Sequence, residues 1–500
     1  MKLSKLLERM NYTCVQGDVS TEVESLIYDS RKVTNNSLFV CISGAKYDGH
    51  DYVEEVVEKG ATAIVVEKDV TVSKDVTVIK VENTREALAF LSAAYFDYPA
   101  EKLKTIGITG TKGKTTTTYM VYSILQKAGI KTGLIGTIET IIGDKVIPAD
   151  NTTPESYLVQ QYFSEMVKCG CESVVMEVSS QGLMLHRVSG FTFDFGIFTN
   201  MEPDHIGPNE HSSFEEYMAC KGILFKNCKV GIANIDDEHM ETVLKGHTCT
   251  LETFGLSEKA DLRAENVDLH SSLGNLGVKY DVKGLMDFNI HVNIPGKFSV
   301  YNSLTAIAIC RHFNIPVETI KQAMLDVKVK GRVEMVPISK RFTLMIDYAH
   351  NAMSLESVLS TLKEYQPKRL VCMFGCGGNR SKDRRFEMGE ISSNIADLTV
   401  VTSDNPRYEE PEAIIEDIIV GVKRGNGKYV SIINRKDAIK YCIENAQDGD
   451  VIILAGKGHE DYQEICGVKY HMDERDLIKE ILDEMSVEKR EALQLAWNVQ

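Results

Sequence analysis

A turn rich in glycine, lysine and threonine, Gly110–Thr116, is a stretch of this 500-residue sequence whose residue types could do chemistry. The sequence predicts a strand over Thr105–Thr109 and, from Thr115 onward, a helix with one apolar face. Glycines let backbone N–H groups approach an anion, Lys114 adds a positive charge, and the Thr115 hydroxyl suits Mg²⁺. Ile108 replaces the first glycine of the G-x-x-x-x-G-K-[ST] pattern, so an ordinary strand–turn–helix corner is the alternative. We predict a site for the phosphates of a nucleoside triphosphate.

Three further polar residues follow apolar runs or lie on a predicted helix. Glu177 ends the run in "ESVVMEVSS", His205 comes just after "FDFGIFTN", and Lys221 lies in "FEEYMACKGILF". Taken singly, each has an ordinary alternative: a helix cap, a surface histidine and a solvated lysine. Their combination with the turn makes these ordinary alternatives less favoured.

The elements that would position these residues alternate between strand and helix. The apolar runs are "SLFVCI", "ATAIVVE" and "VTVIKV" in the first hundred residues, the same rhythm from residue 101, and then "FTLMIDYAH", "RLVCMFGCGG", "DLTVVTSDNP" and "DVIILAGKGHE". The polar, proline-containing stretch "FDYPAEKLK" is predicted to be a linker. We predict an α/β fold with mostly parallel sheets and domains over residues 1–100, 101–331 and 332–500.

Composition narrows the classes of function. The chain is longer than one hydrophobic core supports, and its formal net charge of −16 argues against a general nucleic-acid binder. The N-terminal segment lacks the apolar core of a signal peptide, and no apolar run is long enough to span a bilayer. The twelve cysteines are scattered without paired C-x-x-C sets, so we expect a cytoplasmic protein with reduced thiols and no membrane insertion.

A series of motifs resembles the Mur ligase family of ATP-dependent amide-forming synthetases, in that family's order and over nearly the whole chain. The motifs are "DSRKVTNNSLFVCISGAKYDGHDY", "TGTKGKTT", "NTTPE", "EVSSQGL", "HRV", "DYAH", "FGCGGNR", "DNPR" and "AGKGHEDYQ". The resemblance implies a three-domain architecture. It comprises a UDP-muramoyl substrate-binding domain, a central ATP-binding domain with a P-loop-type parallel sheet, and a C-terminal, Rossmann-like amino-acid-binding domain.

The resemblance also implies a reaction. The γ-phosphoryl group of ATP passes to a substrate carboxylate, and an amino group then attacks the acyl phosphate to give an amide, ADP and phosphate. Lys114, His205 and Lys221 would be catalytic, and Mg²⁺ would be held by Thr115, Glu177, His205 and Lys221. Lys221 would act as a carbamate, because an ammonium group cannot ligate a cation whereas a carbamate presents anionic oxygens.

Residues for three ligands are implied by the same resemblance. ATP is expected at Gly110, Thr111, Lys112, Gly113, Lys114, Thr115 and Thr116, and around its adenosine at Asn302, Arg332, Asp347 and His350. The UDP-muramoyl dipeptide is expected at Ser30, Tyr47, Asp48 and Gly49 for its uridine end, and at Asn151, Thr152, Thr153, Ser179 and Arg187 for its peptide end. The incoming amino acid is expected at Arg380, Asp404, Asn405, Pro406, Arg407, Gly456 and Glu460.

The motif "DNPR", Asp404 to Arg407, indicates which amino acid is added. It resembles the signature of family members that add meso-diaminopimelate, whose distal carboxylate the Arg407 guanidinium can bind with two hydrogen bonds. We therefore predict a monomeric enzyme that adds meso-diaminopimelate to UDP-N-acetylmuramoyl-L-alanyl-D-glutamate in peptidoglycan precursor synthesis. Addition of L-lysine is the alternative for the substrate. For Arg407 itself, the alternative is a capping role in which it pairs with Glu409 or Glu410.

Some residues depart from the family pattern. Lys112 stands where asparagine is usual, Leu185 where a substrate-contacting glutamine is often found, and Asn351-Ala352-Met353 where Thr-Pro-Asp is common. Two other classes stay open as alternatives. A folylpolyglutamate synthetase is disfavoured by the hundred residues before the ATP turn, and a non-catalytic nucleotide-binding Mur ligase paralogue would keep the fold without the reaction.

Overall fold

Two compact units make up the chain. The computed structural model describes residues 1–44, 47–204, 206–207, 210–272 and 274–495. Unit 1 comprises Met1–Arg263 and Leu304–Thr319, and unit 2 comprises Ala264–Ser303 and Ile320–Gln500. Both contain sheets rich in parallel strands and helices between them, which confirms the α/β prediction; the three domain boundaries stay a prediction. Among the described residues, no helix is long and apolar enough to cross a membrane.

The first hundred residues, in unit 1, form a five-stranded sheet with helices. The elements are α1 (Leu3–Leu6), β1 (Thr13–Gln16), β2 (Ser25–Ile27), β3 (Ser37–Val40), α2 (Val53–Glu58), β4 (Ala61–Val66), β5 (Thr77–Lys80) and α3 (Thr84–Tyr95). The strand order is β1-β5-β4-β3-β2, and neighbours are parallel except β1 and β5. The three apolar runs form β3, β4 and β5, which are mostly buried because both faces of a parallel sheet are covered.

The segment predicted as a linker, "FDYPAEKLK", is packed against the protein instead. A 3-10 helix covers Pro99–Lys102, and Pro99 and Ala100 are buried. Ala100 and Leu103 belong to the hydrophobic core of the following sheet. Short apolar side chains between the polar ones therefore anchor this segment, which its polar composition did not indicate.

A second parallel-rich sheet of unit 1 carries the predicted nucleotide turn. Its elements are β6 (Lys104–Thr109), α4 (Lys114–Lys127), β7 (Thr132–Ile135), β8 (Glu139–Ile142), β9 (Lys145–Pro148), α5 (Ser156–Lys168), β10 (Ser173–Glu177), α6 (Ser180–Met184), β11 (Phe193–Phe198), α7 (Phe214–Lys226), β12 (Cys228–Asn234), α8 (Met240–Val243) and β13 (Thr250–Gly255). β6 lies between β10 and β11 and is parallel to both. The carboxyl ends of these strands therefore lie side by side, which brings their loops together.

Several elements cross the boundary between the units or lie just beyond it. They are β14 (Leu262–Ser272), β15 (Asn275–Gly284), β16 (Phe288–Val292), α9 (Lys297–Arg311) and α10 (Val317–Asp326). Within unit 2, β15 and β16 pair antiparallel, with Val278 opposite Val292.

The remainder of unit 2 forms a six-stranded sheet and a small hairpin. The elements are β17 (Glu334–Val336), β18 (Thr343–Asp347), α11 (Ala352–Glu364), β19 (Arg369–Phe374), α12 (Lys382–Ile395), β20 (Leu398–Val401), α13 (Pro411–Val422), β21 (Lys428–Ser431), α14 (Arg435–Glu444), β22 (Asp450–Ala455), β23 (Tyr462–Ile465), β24 (Val468–His471), α15 (Glu474–Glu484) and α16 (Val487–Ala492). The order is β17-β18-β22-β19-β20-β21, and neighbours are parallel except β17 and β18. The polar loops after β18, β19, β20 and β22 therefore share one edge of the sheet.

Candidate active site

The predicted nucleotide turn lies at the carboxyl end of β6 and leads into α4. Gly110 and Gly113 have positive φ, +145° and +83°, and a Cβ atom at Gly110 would lie 1.9 Å from the Thr199 hydroxyl. A larger residue would clash there, and glycine tolerates the backbone conformation. α4 begins at Lys114, one residue before the predicted start. Its first N–H groups and the positive end of its dipole therefore lie at the turn, where an anion would be stabilised.

The Lys114 side chain folds back over the turn. Its Nζ donates hydrogen bonds to the carbonyl oxygens of Gly110 (2.9 Å) and Thr111 (3.1 Å). The Thr111 hydroxyl accepts a hydrogen bond from the Glu202 N–H (3.0 Å), which anchors the turn to the loop after β11. Thr116 follows in the first turn of α4. The predicted phosphate-binding residues thus form one continuous loop and helix start.

Glu177, at the end of β10 as predicted, contacts the helix that follows the turn. Its side chain is fully buried, and its Oε2 accepts hydrogen bonds from the hydroxyls of Thr115 (2.9 Å) and Thr137 (3.0 Å). Its Oε1 accepts from the Thr137 N–H (2.8 Å). Over the part of the chain that the structure describes, these partners are all neutral. A buried carboxylate without a cationic partner is costly, and a bound cation would compensate its charge.

Lys221 lies on α7, as predicted, and it is buried rather than solvated. Its residue is 1% exposed, and its Nζ donates to the Gly110 carbonyl oxygen (2.9 Å) and lies 4.4 Å from the centre of the Tyr217 ring. Burial, followed by the charge of Lys114, lowers the pKa of Lys221 well below its ordinary value, which favours the neutral amine. His205, predicted as a metal ligand, lies outside the described residues.

Thr153 connects the predicted peptide-binding residues to the strand that carries Glu177. Its buried hydroxyl donates to the Glu177 carbonyl oxygen (3.0 Å) and accepts from the Ser179 N–H (2.9 Å). Its own carbonyl oxygen accepts from Arg187 Nη1 (3.0 Å). The Ser179 hydroxyl caps α6 by accepting from the Gly182 N–H (3.0 Å). Direct hydrogen bonds therefore hold Ser179 and Arg187 beside the predicted metal site.

Arg187 shares a carboxylate with a second arginine. Its Nε lies 3.6 Å from Glu155 Oε2, and Arg85 Nη1 lies 3.5 Å from the same oxygen. Two guanidinium groups around one carboxylate leave an excess of positive charge, which suits a peptide that carries carboxylates. Nearby, the hydroxyls of Thr152 and Thr137 share a hydrogen bond (3.1 Å). Asn151 precedes them in an exposed position.

The residues predicted for the uridine end lie in, or directly before, two 3-10 helices among the first hundred residues. Ser30 begins one of them, Ser30–Lys32, and Asp48 caps the other, Gly49–Tyr52. The Asp48 carboxylate accepts from the N–H of His50 (3.0 Å) and pairs with Lys68. Burial acts to raise the pKa of Asp48, but Lys68 and His50 outweigh it and lower the pKa. Asp48 thus holds the loop in shape.

Close packing explains the glycine of this loop. A Cβ atom at Gly49 would lie 2.7 Å from the Ile42 nitrogen and 2.9 Å from the Cys41 Cα atom, so no larger residue is accommodated without a shift. Tyr47, on the same loop, is 72% exposed. An exposed aromatic ring beside a rigid polar loop is available to stack on a planar base.

The residues predicted around the adenosine all lie in unit 2. Asn302 is buried on α9, and Asp347 ends β18. The Asp347 carboxylate accepts from the N–H groups of Val333 (2.7 Å) and Ala349 (2.8 Å). Burial raises the pKa of Asp347 although Arg332 lowers it. Asp347 therefore connects Val333, at the start of the predicted C-terminal domain, to the loop after β18.

Arg332 and His350 flank the Tyr348 ring. The Arg332 guanidinium lies 5.0 Å from the ring centre, and the rings of His350 and His459 lie 4.5 and 4.6 Å from it. Burial, followed by the charge of Arg332, lowers the pKa of His459 to about 4. A Cβ atom at Gly331 would lie 2.1 Å from the His459 nitrogen, so this glycine is required for close packing. Arg332 also lines a cavity of about 660 Å³ within unit 2.

A buried lysine, Lys457, contacts several of the polar residues that were predicted to bind the incoming amino acid. The Lys457 side chain is fully buried, and its Nζ lies 3.1 Å from Asp404 Oδ1 and 3.2 Å from Glu460 Oε2. It also donates to Asn405 Oδ1 (2.6 Å) and to the Tyr462 carbonyl oxygen (2.6 Å). Asn405 Nδ2 donates to Glu460 Oε2 (3.0 Å). The structure therefore brings Asp404, Asn405 and Glu460 together around one cation.

Arg407, the residue predicted to bind the distal carboxylate of the ligand, already contacts a carboxylate of the protein. Its Nε lies 3.1 Å from Glu464 Oε2, and its Nη1 donates to the Gly378 carbonyl oxygen (2.8 Å). Arg407 therefore pairs with neither acid of the capping alternative. Glu409 pairs with Arg385 (2.8 Å) instead. The bridge between Arg407 and Ile465 of β23 places Glu464 beside Arg407.

The other residues predicted for the amino acid lie in neighbouring loops. Pro406 is buried, and a Cβ atom at Gly378 would lie 1.9 Å from its carbonyl oxygen. Gly456 has a φ of +107°, where larger residues are strained. Arg380 is exposed, and its side chain makes no hydrogen bond or ion pair with any residue the structure describes. Arg380 is thus available to a ligand carboxylate.

The positions that depart from the family pattern have local partners. Lys112 forms an ion pair with Glu202 (2.5 Å) on the loop after β11. Asn351 caps α11, and its side chain accepts from the Ser354 N–H (2.9 Å), a role for which asparagine is well suited. Leu185 follows α6 and is half-buried.

Four residues of the site region were missed from the sequence. Thr137 binds Glu177 through its N–H and hydroxyl, but it follows a short strand with no motif around it. His211 Nε2 lies 2.8 Å from the Ser180 hydroxyl. Lys457 lies inside the quoted motif "AGKGHEDYQ", so a lysine directly after a buried strand was a usable signal. No sequence signal indicated Glu464, because its role depends on the pairing of β23 with Arg407.

Three family models together match most of the chain. Residues 22–96 match "Mur ligase family, catalytic domain", residues 108–310 match "Mur ligase middle domain", and residues 331–458 match "Mur ligase, glutamate ligase domain".

Two similar full-length relatives are named as the same kind of ligase. A protein of Clostridium acetobutylicum named UDP-N-acetylmuramoyl-L-alanyl-D-glutamate–2,6-diaminopimelate ligase 1 is 46% identical over 97% of this chain and 100% of its own length. A Clostridium perfringens protein named as the same kind of ligase is 42% identical over 97% and 100%.

Solved structures agree with this pattern. A structure titled as a UDP-N-acetylmuramoyl-L-alanyl-D-glutamate–2,6-diaminopimelate ligase is 26% identical, with a TM-score of 0.73 over 97% of this chain and 99% of that one. The fold also resembles a MurF ligase of Thermotoga maritima in complex with ADP, at 20% identity and a TM-score of 0.56 over 87% and 94%.

Proposed function

The chain belongs to the Mur ligase family, and we propose that it joins meso-diaminopimelate to UDP-N-acetylmuramoyl-L-alanyl-D-glutamate in peptidoglycan precursor synthesis. As a member of this family, it is an ATP-dependent, amide-bond-forming ligase that acts on small molecules. The observation that carries the proposal is the contact of the buried Glu177 carboxylate with the Thr115 hydroxyl, directly after the glycine-rich turn. The names of the full-length relatives support the choice of amino acid.

The turn and the start of α4 would bind the phosphates of ATP. Backbone N–H groups around Gly110 and Gly113 and the helix dipole stabilise negative charge there. The Lys114 ammonium, which contacts two carbonyl oxygens of the turn, would shift to the γ-phosphoryl oxygens. Its charge is useful because the transferred phosphoryl group carries charge on its oxygens in the transition state.

Glu177 and Thr115 would hold Mg²⁺. The fit rests on the donor set: a fully buried carboxylate with neutral partners, next to a hydroxyl that follows the phosphate-binding lysine. In the described part of the chain, no cluster of three or more His, Cys, Asp or Glu residues could hold a metal ion. Mg²⁺ commonly uses one or two protein carboxylates together with phosphate oxygens and water, and Glu177 would be such a carboxylate. The ion would supply positive charge for the phosphates.

Lys221 would act as a carbamate. Its neutral, buried amine can attack CO₂, forming an N–C bond and releasing one proton, and the product carries anionic oxygens. Its position beside the Gly110 carbonyl oxygen places it at the phosphate turn. The depressed pKa supports this assignment because an ammonium group has no lone pair for the attack. His205 would add a further ligand for the cation.

The peptide end of the nucleotide substrate would lie at Thr153, Ser179 and Arg187. Arg187 would bind a carboxylate of the D-glutamate residue and orient the other. A carboxylate oxygen attacks the γ-phosphorus of ATP and ADP departs, which leaves an acyl phosphate. The neutral amine of meso-diaminopimelate then attacks the acyl carbon, a proton leaves the nitrogen, and inorganic phosphate departs.

The amino acid would be recognised by charge complementarity. Arg380 would bind its α-carboxylate, Arg407 its distal carboxylate and Glu460 its distal ammonium group. Asp404 and Asn405 would support Glu460 through Lys457, which contacts all three. L-Lysine has no distal carboxylate, so it would forgo the contact with Arg407.

The test is ADP release by the purified protein with ATP, Mg²⁺ and the UDP-muramoyl dipeptide. The proposal expects release only when an amino acid is added, and faster release with meso-diaminopimelate than with L-lysine. Equal release without the dipeptide would contradict it, and a preference for lysine would overturn the amino-acid assignment alone. The monomeric state and the cytoplasmic location stay predictions, and light scattering after gel filtration tests the first.

A further inference from the structure

We infer that Glu464 moderates the amino-acid specificity of this site by acting as an internal carboxylate for Arg407. The inference rests on the proposed function, because Arg407 is taken as the residue that binds the distal carboxylate of meso-diaminopimelate. Glu464 competes with that ligand carboxylate, and it compensates Arg407 when the bound amino acid lacks one. It is a positioning residue that acts through Arg407.

The loop that carries Arg407 is held directly against the strand of Glu464. The Arg407 N–H donates to the Glu464 carbonyl oxygen (3.0 Å), and the Arg407 carbonyl oxygen accepts from the Cys466 N–H (2.7 Å). The Glu464 N–H in turn donates to Asn405 Oδ1 (2.9 Å). Gln463 Nε2 donates to the Asp404 carbonyl oxygen (2.7 Å). The backbone of Glu464 is therefore held in place relative to the motif.

The contact between the two side chains occupies part of the guanidinium group. Glu464 Oε2 lies 3.1 Å from Arg407 Nε, and Gly378 accepts from Nη1 (2.8 Å). A guanidinium has five N–H donors, so donors remain for a ligand. A carboxylate that binds the edge formed by Nε and Nη2 must displace Glu464. One that binds the edge formed by Nη1 and Nη2 lies beside a like charge.

The exposure of the pair makes such an exchange feasible. The side chains of Arg407 and Glu464 are 22% and 24% exposed, so neither charge is locked in a dry core. Arg407 also has a φ of +53°, a conformation that is uncommon for residues with a Cβ atom. The hairpin therefore holds Arg407 in a defined place, while the ion pair itself is of the partly exposed kind that is individually weak.

Glu464 should therefore have opposite effects on the binding of meso-diaminopimelate and of L-lysine. With meso-diaminopimelate, the Glu464 charge opposes the distal carboxylate and weakens binding. With L-lysine, Glu464 keeps the partly exposed guanidinium paired, and its charge attracts the distal ammonium group. Glu464 thus reduces the discrimination that Arg407 alone would give.

The experiment compares Glu464→Gln with wild type in steady-state ligation with each amino acid. Glutamine keeps the shape and an oxygen acceptor for Arg407 but removes the charge. We expect KM for meso-diaminopimelate to fall about threefold and KM for L-lysine to rise about threefold, with kcat little changed, since partly exposed ion pairs have effects of this size. The specificity ratio would then rise about tenfold. Thermal stabilisation by meso-diaminopimelate should increase in parallel, which gives a readout independent of turnover.

Asp461→Asn is the matched control, because Asp461 precedes the same hairpin and its exposed side chain makes no hydrogen bond or ion pair among the described residues. A specificity ratio that is unchanged in Glu464→Gln, or that rises equally in Asp461→Asn, would overturn the inference. If Glu464→Gln is unstable, the same specificity ratio is measured in Glu464→Ala. A rise in that ratio supports the inference, and an unchanged ratio overturns it. A wild-type protein that uses neither amino acid would refute the proposed function instead, so the two failures are distinguishable.

Discussion

Replacing Glu177 by glutamine should separate the metal role of this residue from its role in the fold. The carboxylate is fully buried, with Oε1 on the Thr137 N–H and Oε2 on the hydroxyls of Thr115 and Thr137. A glutamine oxygen can keep the first contact. Its NH₂ group can face the two hydroxyls, which can turn to accept hydrogen bonds.

The expected effects differ in size. Glu177→Gln loses charge-assisted strength in three hydrogen bonds but also removes a buried charge, so the free energy of unfolding should change by no more than about 1 kcal/mol. Ligation should fall at least about 100-fold, or about 2.7 kcal/mol of transition-state stabilisation, because the amide is a neutral and weaker ligand for Mg²⁺. Glu177→Ala removes the partner of the Thr137 N–H and of the Thr115 hydroxyl, while the Thr137 hydroxyl keeps its contact with Thr152, and it should destabilise the protein by about 2–4 kcal/mol.

Two measurements on each variant check this prediction. Urea denaturation gives the free energy of unfolding, and ADP release at increasing Mg²⁺ gives the ligation rate and the apparent affinity for the ion. Wild-type ligation and Mg²⁺ dependence in Glu177→Gln would refute the metal role. Unfolding of the same variant at pH 7 would instead mean that the charge itself stabilises the fold.

Three further predictions address other parts of the site. Lys221→Ala should lose most ligation activity and regain part of it with added acetate but not with chloride at equal ionic strength; full activity without acetate would exclude the carbamate. Thr153→Val leaves the Glu177 carbonyl and the Ser179 N–H without their partner, so unfolding in urea should show a loss of about 2–4 kcal/mol, whereas the control Thr152→Val should stay within about 1 kcal/mol. Because the pKa of His459 is lowered to about 4 in the folded protein, the unfolded chain binds the proton first, so stability is lost as pH falls from about 6.5 to 4, by up to about 3 kcal/mol. His459→Asn should flatten that part of the profile, and an unaltered slope would argue against the assignment.

The sequence predicted the elements and the edge of each sheet on which the polar residues lie. Glu177 and Asp347 end buried strands, as the apolar runs before them indicated. The sequence also identified Lys114 and Lys221 as candidate site residues. The burial of Lys221 against Gly110 was not predicted, because it depends on how α7 packs beside β6. Periodicity in one helix does not contain that information.

The contact between Arg407 and the hairpin β23–β24 could not be predicted from the sequence. β23 and β24 are short and largely exposed, so they lack the apolar run that identified the other strands. The bridge between Arg407 and Ile465 of β23 decides that Arg407 meets Glu464 rather than Glu409. Lys457 illustrates an intermediate case, because its motif was quoted, but a lysine with no exposure is rare enough that a solvated position was the default expectation.

The most direct test of the central claim follows oxygen atoms through the reaction. The UDP-muramoyl dipeptide, labelled with ¹⁸O in the carboxylates of its D-glutamate residue, would be incubated with ATP, Mg²⁺ and meso-diaminopimelate, and the products weighed by mass spectrometry. An acyl phosphate intermediate predicts one ¹⁸O in the inorganic phosphate and a nucleotide product that has gained one diaminopimelate residue and lost one labelled oxygen. Unlabelled phosphate, or a product without the added residue, would contradict the account.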